Sequence, residues 1–405
     1  MKEEKNIIDK HKLDTILEIT KKINFNASTE EILESFIVFL NDSLNVQKIS
    51  LYIHQYEKWY CLINKFIQDR NTEVELPFDF IHTSEITPIT ANENNFFKGY
   101  DVLIPIFHKA EPLAYLLIGD FNSHEKGLSP SIKHIGFIQT LANIIVVAIE
   151  NKRLAKETIA KEAIKTEIEL ATKMQNMLFP STLPDDENLQ IAAHYQPYSG
   201  LGGDYYDFQV MNKNEVFFCV ADVSGKGVSA ALLMANFQAN LRAYMATKDN
   251  FKEVIEILNK TVIDSAKGEK FITCFLAVYD ISTRKLAYVN AGHHPALLYS
   301  SKNKDVKTLS KGCVGVGMLN TIPKFETGAV FVETGDLLVA YTDGLVEVEN
   351  ELEEQFDYKK LSKIITDCSL IDMKSMNEKI LKEADKFRKD IEFNDDITLL
   401  SVKFK

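Results

Sequence analysis

The alternation of apolar and polar positions predicts a chain in two parts joined by a long helix. Apolar residues recur at helical spacing over residues 10–45, with a break at Asn26 to Thr29 where Ser28 or Thr29 can cap the second helix. Strand-like runs follow at residues 48–54, 59–66, 102–107 and 114–119, and Lys109 to Pro112 carries a hairpin signal between the last two. From Ile132 to Leu178 the spacing is helical again.

Beyond Pro180 and Pro184, which end that helix, the pattern changes to paired strands around two blocks of helix. Strands are predicted at residues 192–195, 204–210, 215–221, 275–280, 285–290, 336–341 and 397–404. Helices are predicted at residues 227–245 and 252–265 and within 359–388. Antiparallel strands with helices inserted in blocks are typical of an α+β layered fold.

The segment from Asn151 to Met177 is charged and contains neither glycine nor proline. Its apolar residues recur at steps of three and four, and Glu167 interrupts them; they are Ala160, Ala163, Leu170, Met174 and Met177. Such a stripe fits a coiled coil between two subunits and equally fits one amphipathic helix lying on its own domain. The layout predicts a first domain at residues 10–150, a helical linker at 151–180 and a second domain at 185–405.

Charge and cysteine content narrow the range of partners and compartments. The 405 residues carry a formal net charge of −12, and this acidity argues against nucleic acid or anionic membrane as a partner. The five cysteines lack the spacing of a zinc site or a disulfide framework, which favours reduced thiols in a cytosol. The charged N-terminus resembles no signal peptide, and the apolar run Leu141–Ile149 is too short for a membrane span. We expect a cytoplasmic protein.

Aspartates lie at strand ends throughout the second domain. Asp204 and Asp222 flank a predicted hairpin whose turn is near Lys213, so we expect them to lie side by side across the two strands. Two opposed carboxylates repel each other, and a site that keeps both ionised needs a cation between them. Asp343 follows a strand, and Asp395 and Asp396 precede the last one, so these residues should meet at one edge of the sheet.

The neighbouring motifs offer no histidine or cysteine at metal-ligand spacing, and an all-oxygen site suits Mg²⁺ or Mn²⁺. Two such ions roughly 3.5–4 Å apart can activate a water molecule for attack on phosphorus. Any one of these aspartates alone is more simply a turn former or a helix cap. Four separate instances, each at a strand end, favour a shared site.

Five motifs occur in a fixed order in the second domain. They are GGDYYDF (Gly202–Phe208), ADVSGKGVSAALLMA (Ala221–Ala235), NAGHHPALL (Asn290–Leu298), YTDGLVE (Tyr341–Glu347) and NDDITLL (Asn394–Leu400). Together they resemble the PPM-type serine phosphatases of the bacterial sporulation and sigma-factor-regulating branch. The resemblance covers about residues 171–405, including MQNMLFP (Met174–Pro180), which is similar to that family's lead-in helix.

This resemblance implies an αββα sandwich that uses two Mn²⁺ or Mg²⁺ ions to hydrolyse phosphoserine on a STAS-type anti-sigma-factor antagonist. It also implies a ligand set: the carboxylates of Asp204 and Asp222, the backbone carbonyl of Val223, and the carboxylates of Asp343 and Asp395. Asp396 is the alternative to Asp395, which we prefer because the family's ligand stands three residues before the threonine, here Thr398. A catalytically silent scaffold that only binds a partner is the alternative function.

The resemblance leaves two roles unassigned. Eukaryotic type 2C phosphatases place an arginine upstream of the first aspartate and a histidine after the second, whereas this chain has no basic residue between Tyr195 and Gly203 and has Ser224 in the histidine position. Lys226 is a candidate for phosphate contact, although a solvated lysine is the simpler interpretation. His293 and His294 are candidates for the acid, although packing in a loop is the simpler role.

The first domain resembles a GAF domain in its order of helices, antiparallel strands and long exit helix. The resemblance implies a sensor that binds a small ligand or a partner, and a pure dimerisation domain is the alternative. Trp59, Tyr60 and Phe107 are candidates to line a pocket, although a place in the core is the simpler interpretation. We expect a homodimer if the linker forms a coiled coil.

Overall fold

A computed structural model describes residues 2–64, 72–77, 81, 83–89, 96, 98–108, 111–119, 134–248 and 250–405, with side chains described from residue 10 onward. The chain forms two compact units, Met1–Glu162 and Ala163–Lys405, and their boundary falls within one long helix. The predicted domain limits at residues 150, 180 and 185 stay predictions.

Over its described residues, the N-terminal unit combines a six-stranded antiparallel sheet with helices. Its elements are α1 (Lys2–Asn24), α2 (Thr29–Leu44), β1 (Lys48–Gln55), β2 (Lys58–Asn64), β3 (Thr72–Glu73), β4 (Thr87–Pro88), β5 (Val102–His108), β6 (Glu111–Gly119) and α3 (Ile135–Asn176). The strand order is β3-β2-β1-β6-β5-β4. The predicted helix break is confirmed, because Ser28 and Glu31 form a capping box at the start of α2. Part of the predicted hairpin turn (109–110), the end of the second predicted strand (65–66) and the predicted helix start at Ile132 lie outside the described residues.

Two clusters of buried side chains lie in this unit. The larger joins α2 and α3 to the sheet and includes Phe36, Leu40, Leu141 and Ile145. The smaller contains three aromatic residues, Tyr52, Trp59 and Tyr115, and the ring centres of Trp59 and Tyr115 are 5.1 Å apart. Trp59 is therefore a core residue, as the simpler interpretation had it.

Helix α3 is the one helix of the described chain that is long and apolar enough to cross a membrane by length and composition. A core helix of a soluble protein passes the same test. Its apolar side chains Ile138, Leu141 and Ile145 are buried in the core of the N-terminal unit, which accounts for its composition.

The C-terminal unit contains the end of α3, from Ala163 to Asn176, and the remaining elements. They are β7 (Leu189–Gln196), β8 (Tyr205–Val210), β9 (Glu215–Val223), α4 (Val228–Met245), α5 (Phe251–Ala266), β10 (Ile272–Asp280), β11 (Lys285–Ala291), β12 (Ala296–Tyr299), β13 (Val306–Leu309), β14 (Gly312–Cys313), β15 (Gly328–Phe331), β16 (Leu337–Tyr341), α6 (Asp343–Val346), α7 (Asp357–Asp367), α8 (Met373–Arg388) and β17 (Ile397–Phe404). Every predicted strand and helix is present, to within a few residues. The prediction missed β12 to β15, which are two to four residues long and too short to show alternation.

Two β-sheets form the centre of this unit, and their strands pair antiparallel except for β11 with β14. One has the order β14-β11-β10-β9-β8, with β15 on β11, and the other has the order β13-β12-β16-β17-β7. Phe218 and Phe275 of the first sheet are buried in the same cluster as Leu338 and Leu400 of the second. The outer face of the first sheet packs on α4 and α5, and that of the second on α7 and α8. The unit is therefore an αββα sandwich, as predicted.

Strand register brings the predicted aspartates to one end of the sandwich. In the β8–β9 hairpin Tyr205 pairs with Ala221, so Asp204 stands level with Asp222. The strand β9 continues through Asp222 and Val223 instead of ending at Ala221. In the other sheet Tyr341 pairs with Leu399, and the Thr342 N–H donates to the Thr398 carbonyl at 3.1 Å, which places Asp343 beside the start of β17.

Candidate metal centre

Asp204 is a buried carboxylate between the two sheets. Its side chain is 1% exposed, and Oδ2 accepts a hydrogen bond of 2.7 Å from the Thr342 hydroxyl. The same hydroxyl oxygen accepts the Thr398 N–H at 2.9 Å. Thr342, which follows β16, and Thr398, which lies in β17, therefore orient this contact together. Burial first, and then the charges of Asp222 and Asp396, raise the pKa of Asp204 well above its ordinary value.

Asp222 lies where the carboxylates come together. Burial, followed by the charges of Asp343, Asp395 and Asp396, raises its pKa to about 7. The adjoining carbonyl of Val223 faces the loop before β8, since a Cβ on Gly203 would lie 2.9 Å from that oxygen. The close approach requires glycine at position 203 and brings the Val223 carbonyl, Asp204 and Asp222 together.

Asp343 and Asp395 approach from the side of the second sheet. Together with Asp204 and Asp222 they form a cluster of carboxylates, called the acidic group below. Burial, followed by the charge of Asp395, raises the pKa of Asp343. Gly344 permits this approach, because a Cβ there would lie 2.0 Å from the Asp396 carbonyl oxygen and 3.2 Å from the Asp395 Cβ. Asp395 is 43% exposed, and its Oδ2 lies 3.1 Å from the Nζ of Lys226.

Asp396 has both carboxylate oxygens engaged by backbone. Oδ1 accepts the Tyr198 N–H and Oδ2 accepts the Gly203 N–H, each at 2.7 Å. These two bonds tie the segment between β7 and β8 to the start of β17. Asp396 therefore holds this loop in place. Asp395 lies nearer the surface, where its Oδ1 accepts the Asp396 N–H at 2.9 Å and its Oδ2 pairs with Lys226.

The carboxylates lack a buried counter-ion within the part of the chain that the structure describes. Lys226 pairs with the exposed Asp395, while the raised pKa values of Asp204, Asp222 and Asp343 reflect burial and mutual repulsion. A set of carboxylate oxygens, one buried and the others partly buried, together with one backbone carbonyl is the donor chemistry that Mg²⁺ and Mn²⁺ prefer. The residues present therefore fit divalent cations.

Comparison with known proteins places this geometry in a family. The family model described as Stage II sporulation protein E (SpoIIE) matches residues 212–405. Phosphoserine phosphatase RsbU of Bacillus subtilis is 32% identical over 250 residues, which cover 60% of this chain and 72% of RsbU.

The chain belongs to the family of SpoIIE and RsbU, and it is a phosphoprotein phosphatase.

Two further likenesses were found, one in sequence and one in fold. Phosphoserine phosphatase RsbP of Bacillus subtilis is 27% identical over 187 residues, which cover 45% of this chain and 46% of RsbP. The SiaA-PP2C domain of Pseudomonas aeruginosa aligns with a TM-score of 0.53 at 20% identity, over 61% of this chain and 98% of that domain. The second likeness shows that the fold is shared.

In this SpoIIE-family phosphatase, one histidine lies nearer to the acidic group than the sequence suggested. Ligand atoms of His294, Asp343 and Glu347 all lie within 4.8 Å of one another, and the His294 Nε2 is 4.0 Å from a Glu347 oxygen. The sequence named His294 as a candidate acid without placing it, and tertiary folding rather than local spacing brings it beside Asp343. Glu347 was not predicted, although it ends the quoted YTDGLVE motif.

His293 has a different environment from its neighbour. It is buried, and its Nδ1 lies 2.8 Å from the hydroxyl of Thr273, the residue paired with Asp222 across β9 and β10. Burial lowers the pKa of His293 to about 3, so its ring is neutral near pH 7. A neutral, buried ring supports the packing role over that of an acid.

Sequence reasoning also missed the residues that hold the site's loop. Gln175 at the end of α3 bonds to Gly202, and Tyr198 and Thr342 bond to Asp396 and Asp204. Gln175 belongs to the lead-in motif MQNMLFP, which the sequence analysis singled out without assigning a role to this residue.

Proposed function

We propose that this protein is a Mn²⁺- or Mg²⁺-dependent phosphatase that hydrolyses phosphoserine on a regulatory protein of the STAS-type anti-sigma-factor antagonist class. The observation that carries the proposal is the convergence of Asp204, Asp222, Asp343 and Asp395 without a buried counter-ion in the described chain. Relatives that are themselves phosphoserine phosphatases support the substrate chemistry.

Five groups would hold the ions: the carboxylates of Asp204, Asp222, Asp343 and Asp395, and the carbonyl of Val223. When bound, divalent cations activate water and offset negative charge on the phosphoryl oxygens. The Thr342 hydroxyl orients Asp204, and Asp396 holds the loop that precedes it.

Lys226 is the candidate for phosphate contact. Its ammonium lies at the exposed edge of the acidic group, 3.1 Å from Asp395 and 4.8 Å from the ring centre of Tyr198. A half-exposed cation beside the ligands is placed to meet the phosphoryl oxygens of an incoming phosphoserine. The region before Asp204 has no arginine that could bind the phosphoryl group. In this proposal Lys226 supplies that positive charge instead.

The N-terminal unit is proposed to be a GAF-like sensor for a small ligand or a partner. Several apolar side chains of α3 are exposed, among them Leu154, Ile159, Ile164, Leu170 and Met174. This exposure supports a homodimer joined along the linker helix. A cytoplasmic location is proposed separately, from the five cysteines without disulfide spacing. Light scattering on the full chain tests the dimer, and a monomer would remove it.

A phosphatase assay tests the function. The full chain, given a phosphoserine-bearing STAS protein and Mn²⁺ or Mg²⁺, should release inorganic phosphate, and excess EDTA should stop the release. The same assay on residues 163–405 measures the contribution of the N-terminal unit. The scaffold alternative predicts binding of the phosphoprotein without release, together with no calorimetric signal at millimolar Mn²⁺.

A further inference from the structure

Gln175 is a buried polar side chain in the last turn of α3. It is 5% exposed, and its amide engages both backbone groups of Gly202. The Nε2 donates to the Gly202 carbonyl at 2.7 Å, and the Oε1 accepts the Gly202 N–H at 3.3 Å. The Tyr195 hydroxyl donates to the same Oε1 at 3.4 Å. One side chain thus determines where the backbone of the glycine pair before Asp204 lies.

A second contact from α3 extends this attachment. The Thr172 hydroxyl, one turn before Gln175, lies 3.1 Å from the Gly200 carbonyl oxygen and 2.9 Å from that of Ile168, so its one proton is shared between them. The helix therefore holds the segment between β7 and β8 at two positions, Gly200 and Gly202.

The opposite side of that segment is held by Asp396, through the N–H groups of Tyr198 and Gly203. The fit is tight, since a Cβ on Gly202 would lie 2.4 Å from both the Asp396 Oδ2 and the Tyr195 hydroxyl oxygen. The loop is therefore clamped between Gln175 and Asp396. Asp204 follows directly, and Gly203 packs against the Val223 carbonyl.

We propose that Gln175 is a positioning residue for the metal centre, acting through Gly202 on the placement of Asp204 and the Val223 carbonyl. The inference rests on the proposed metal dependence and adds a residue outside the ligand set. Groups that hold metal ligands in place commonly change metal affinity about 10- to 100-fold when they are removed.

Apolar contacts anchor the same end of the helix independently of Gln175. Leu178 and Phe179 pack against the core between the first sheet and its helices, and the ring of Phe179 lies 4.6 Å from that of Tyr195 and 5.0 Å from that of Tyr206. Removing the Gln175 amide should leave this packing in place and act mainly on the loop.

Gln175→Met keeps the length of the side chain and removes its hydrogen bonds. Gln238→Met is the matched control, because Gln238 is also buried and donates to one backbone carbonyl, that of Leu178 at 3.3 Å, away from the Gly202 loop. Isothermal titration calorimetry with Mn²⁺ and thermal unfolding in EDTA are measured on both full-length variants and on the wild type.

We expect Gln175→Met to weaken Mn²⁺ binding at least about ten-fold, while Gln238→Met binds like the wild type. The Mn²⁺ concentration for half-maximal hydrolysis of para-nitrophenyl phosphate should rise by the same factor, with the rate at saturating Mn²⁺ nearly unchanged. Unfolding temperatures of the two variants in EDTA should be similar. Equal Mn²⁺ affinities for Gln175→Met and the wild type, or an equal loss in both variants, would overturn the proposal.

Thr172→Val keeps the test decisive if Gln175→Met does not fold. It removes the bond to Gly200 with little change of shape, and a smaller loss of Mn²⁺ affinity is expected. Unchanged affinity in that case would contradict the clamp. If the wild type itself binds no Mn²⁺, the proposed metal dependence fails first, and this result is distinct from a failure of the Gln175 variant alone.

Discussion

Asp204 and Asp207 are both buried near the start of β8, yet they have opposite surroundings. Asp207 faces the helix side of its sheet and is 0% exposed, and Arg242 grips both of its oxygens at 2.9 Å. Asp204 faces the second sheet and receives one hydroxyl, that of Thr342. A carboxylate buried for structure has its cation within the chain. A carboxylate buried among other acids, with a raised pKa, indicates a cation supplied from solution.

Removing a carboxylate from the acidic group should have the largest effect on activity. We expect Asp222→Asn to lower phosphoserine hydrolysis by at least about a thousand-fold, equivalent to about 4 kcal/mol, because a ligand charge is lost. The free energy of unfolding in EDTA at pH 8 should rise by roughly 1–3 kcal/mol, because one repelling charge is removed. Phosphate release and urea denaturation measure the two effects.

Asp343→Asn should likewise lower phosphoserine hydrolysis and raise the free energy of unfolding in EDTA, since burial and the charge of Asp395 raise the pKa of Asp343 as well. Turnover close to that of the wild type in either variant would remove the metal assignment. A destabilised metal-free protein would instead show that these carboxylates are structural, like Asp207.

Breaking the Asp207–Arg242 pair should give the reverse result. Arg242→Met leaves Asp207 buried without a cation, and we expect a loss of about 3 kcal/mol in the free energy of unfolding, with Mn²⁺ affinity retained. The double variant Asp207→Asn with Arg242→Met should recover most of that loss. Urea denaturation and calorimetry would contradict this interpretation if Arg242→Met were as stable as the wild type but bound Mn²⁺ poorly.

The pH dependence of the metal-free protein sharpens the same contrast. Asp222 has a folded-state pKa of about 7 against an ordinary value of 3.8, so the folded state binds more protons than the unfolded state between these values. Its contribution to stability is present below about pH 4 and is lost as the pH rises through about 7. In EDTA, the stability advantage of Asp222→Asn over the wild type should therefore grow by roughly 1–2 kcal/mol from pH 5 to pH 8.

Saturating Mn²⁺ gives the control for that experiment, because a bound cation favours the ionised carboxylate. Calorimetric Mn²⁺ affinity of the wild type should likewise rise between pH 6 and pH 8. A stability difference between the two proteins that is independent of pH would mean that Asp222 does not titrate in this range.

Local pattern was sufficient for one part of the site. The hairpin turn near Lys213 predicted that Asp204 and Asp222 face each other, because antiparallel register follows from the turn. The local sequence pattern could not show that Asp396 bonds to Tyr198 and Gly203, or that Gln175 bonds to Gly202, because these contacts join segments far apart in the chain. The proximity of His294 to Asp343 arises in the same way, from the packing of separate segments.

The smallest effect is expected at Lys226, where the chain's own cation meets the exposed edge of the acidic group. Lys226→Met should raise the KM for a phosphoserine protein about ten-fold, close to 1.4 kcal/mol, with a smaller change in kcat, because one charge-assisted contact to phosphate is lost. Lys302→Met is the matched control, since Lys302 is 70% exposed and pairs with Glu333. Steady-state kinetics on both variants measure the difference. An unchanged KM in Lys226→Met would show that this lysine only neutralises Asp395. Asp395 would then resemble Asp207, whose cation is a residue of the chain, and would differ from Asp204, for which a cation from solution is proposed.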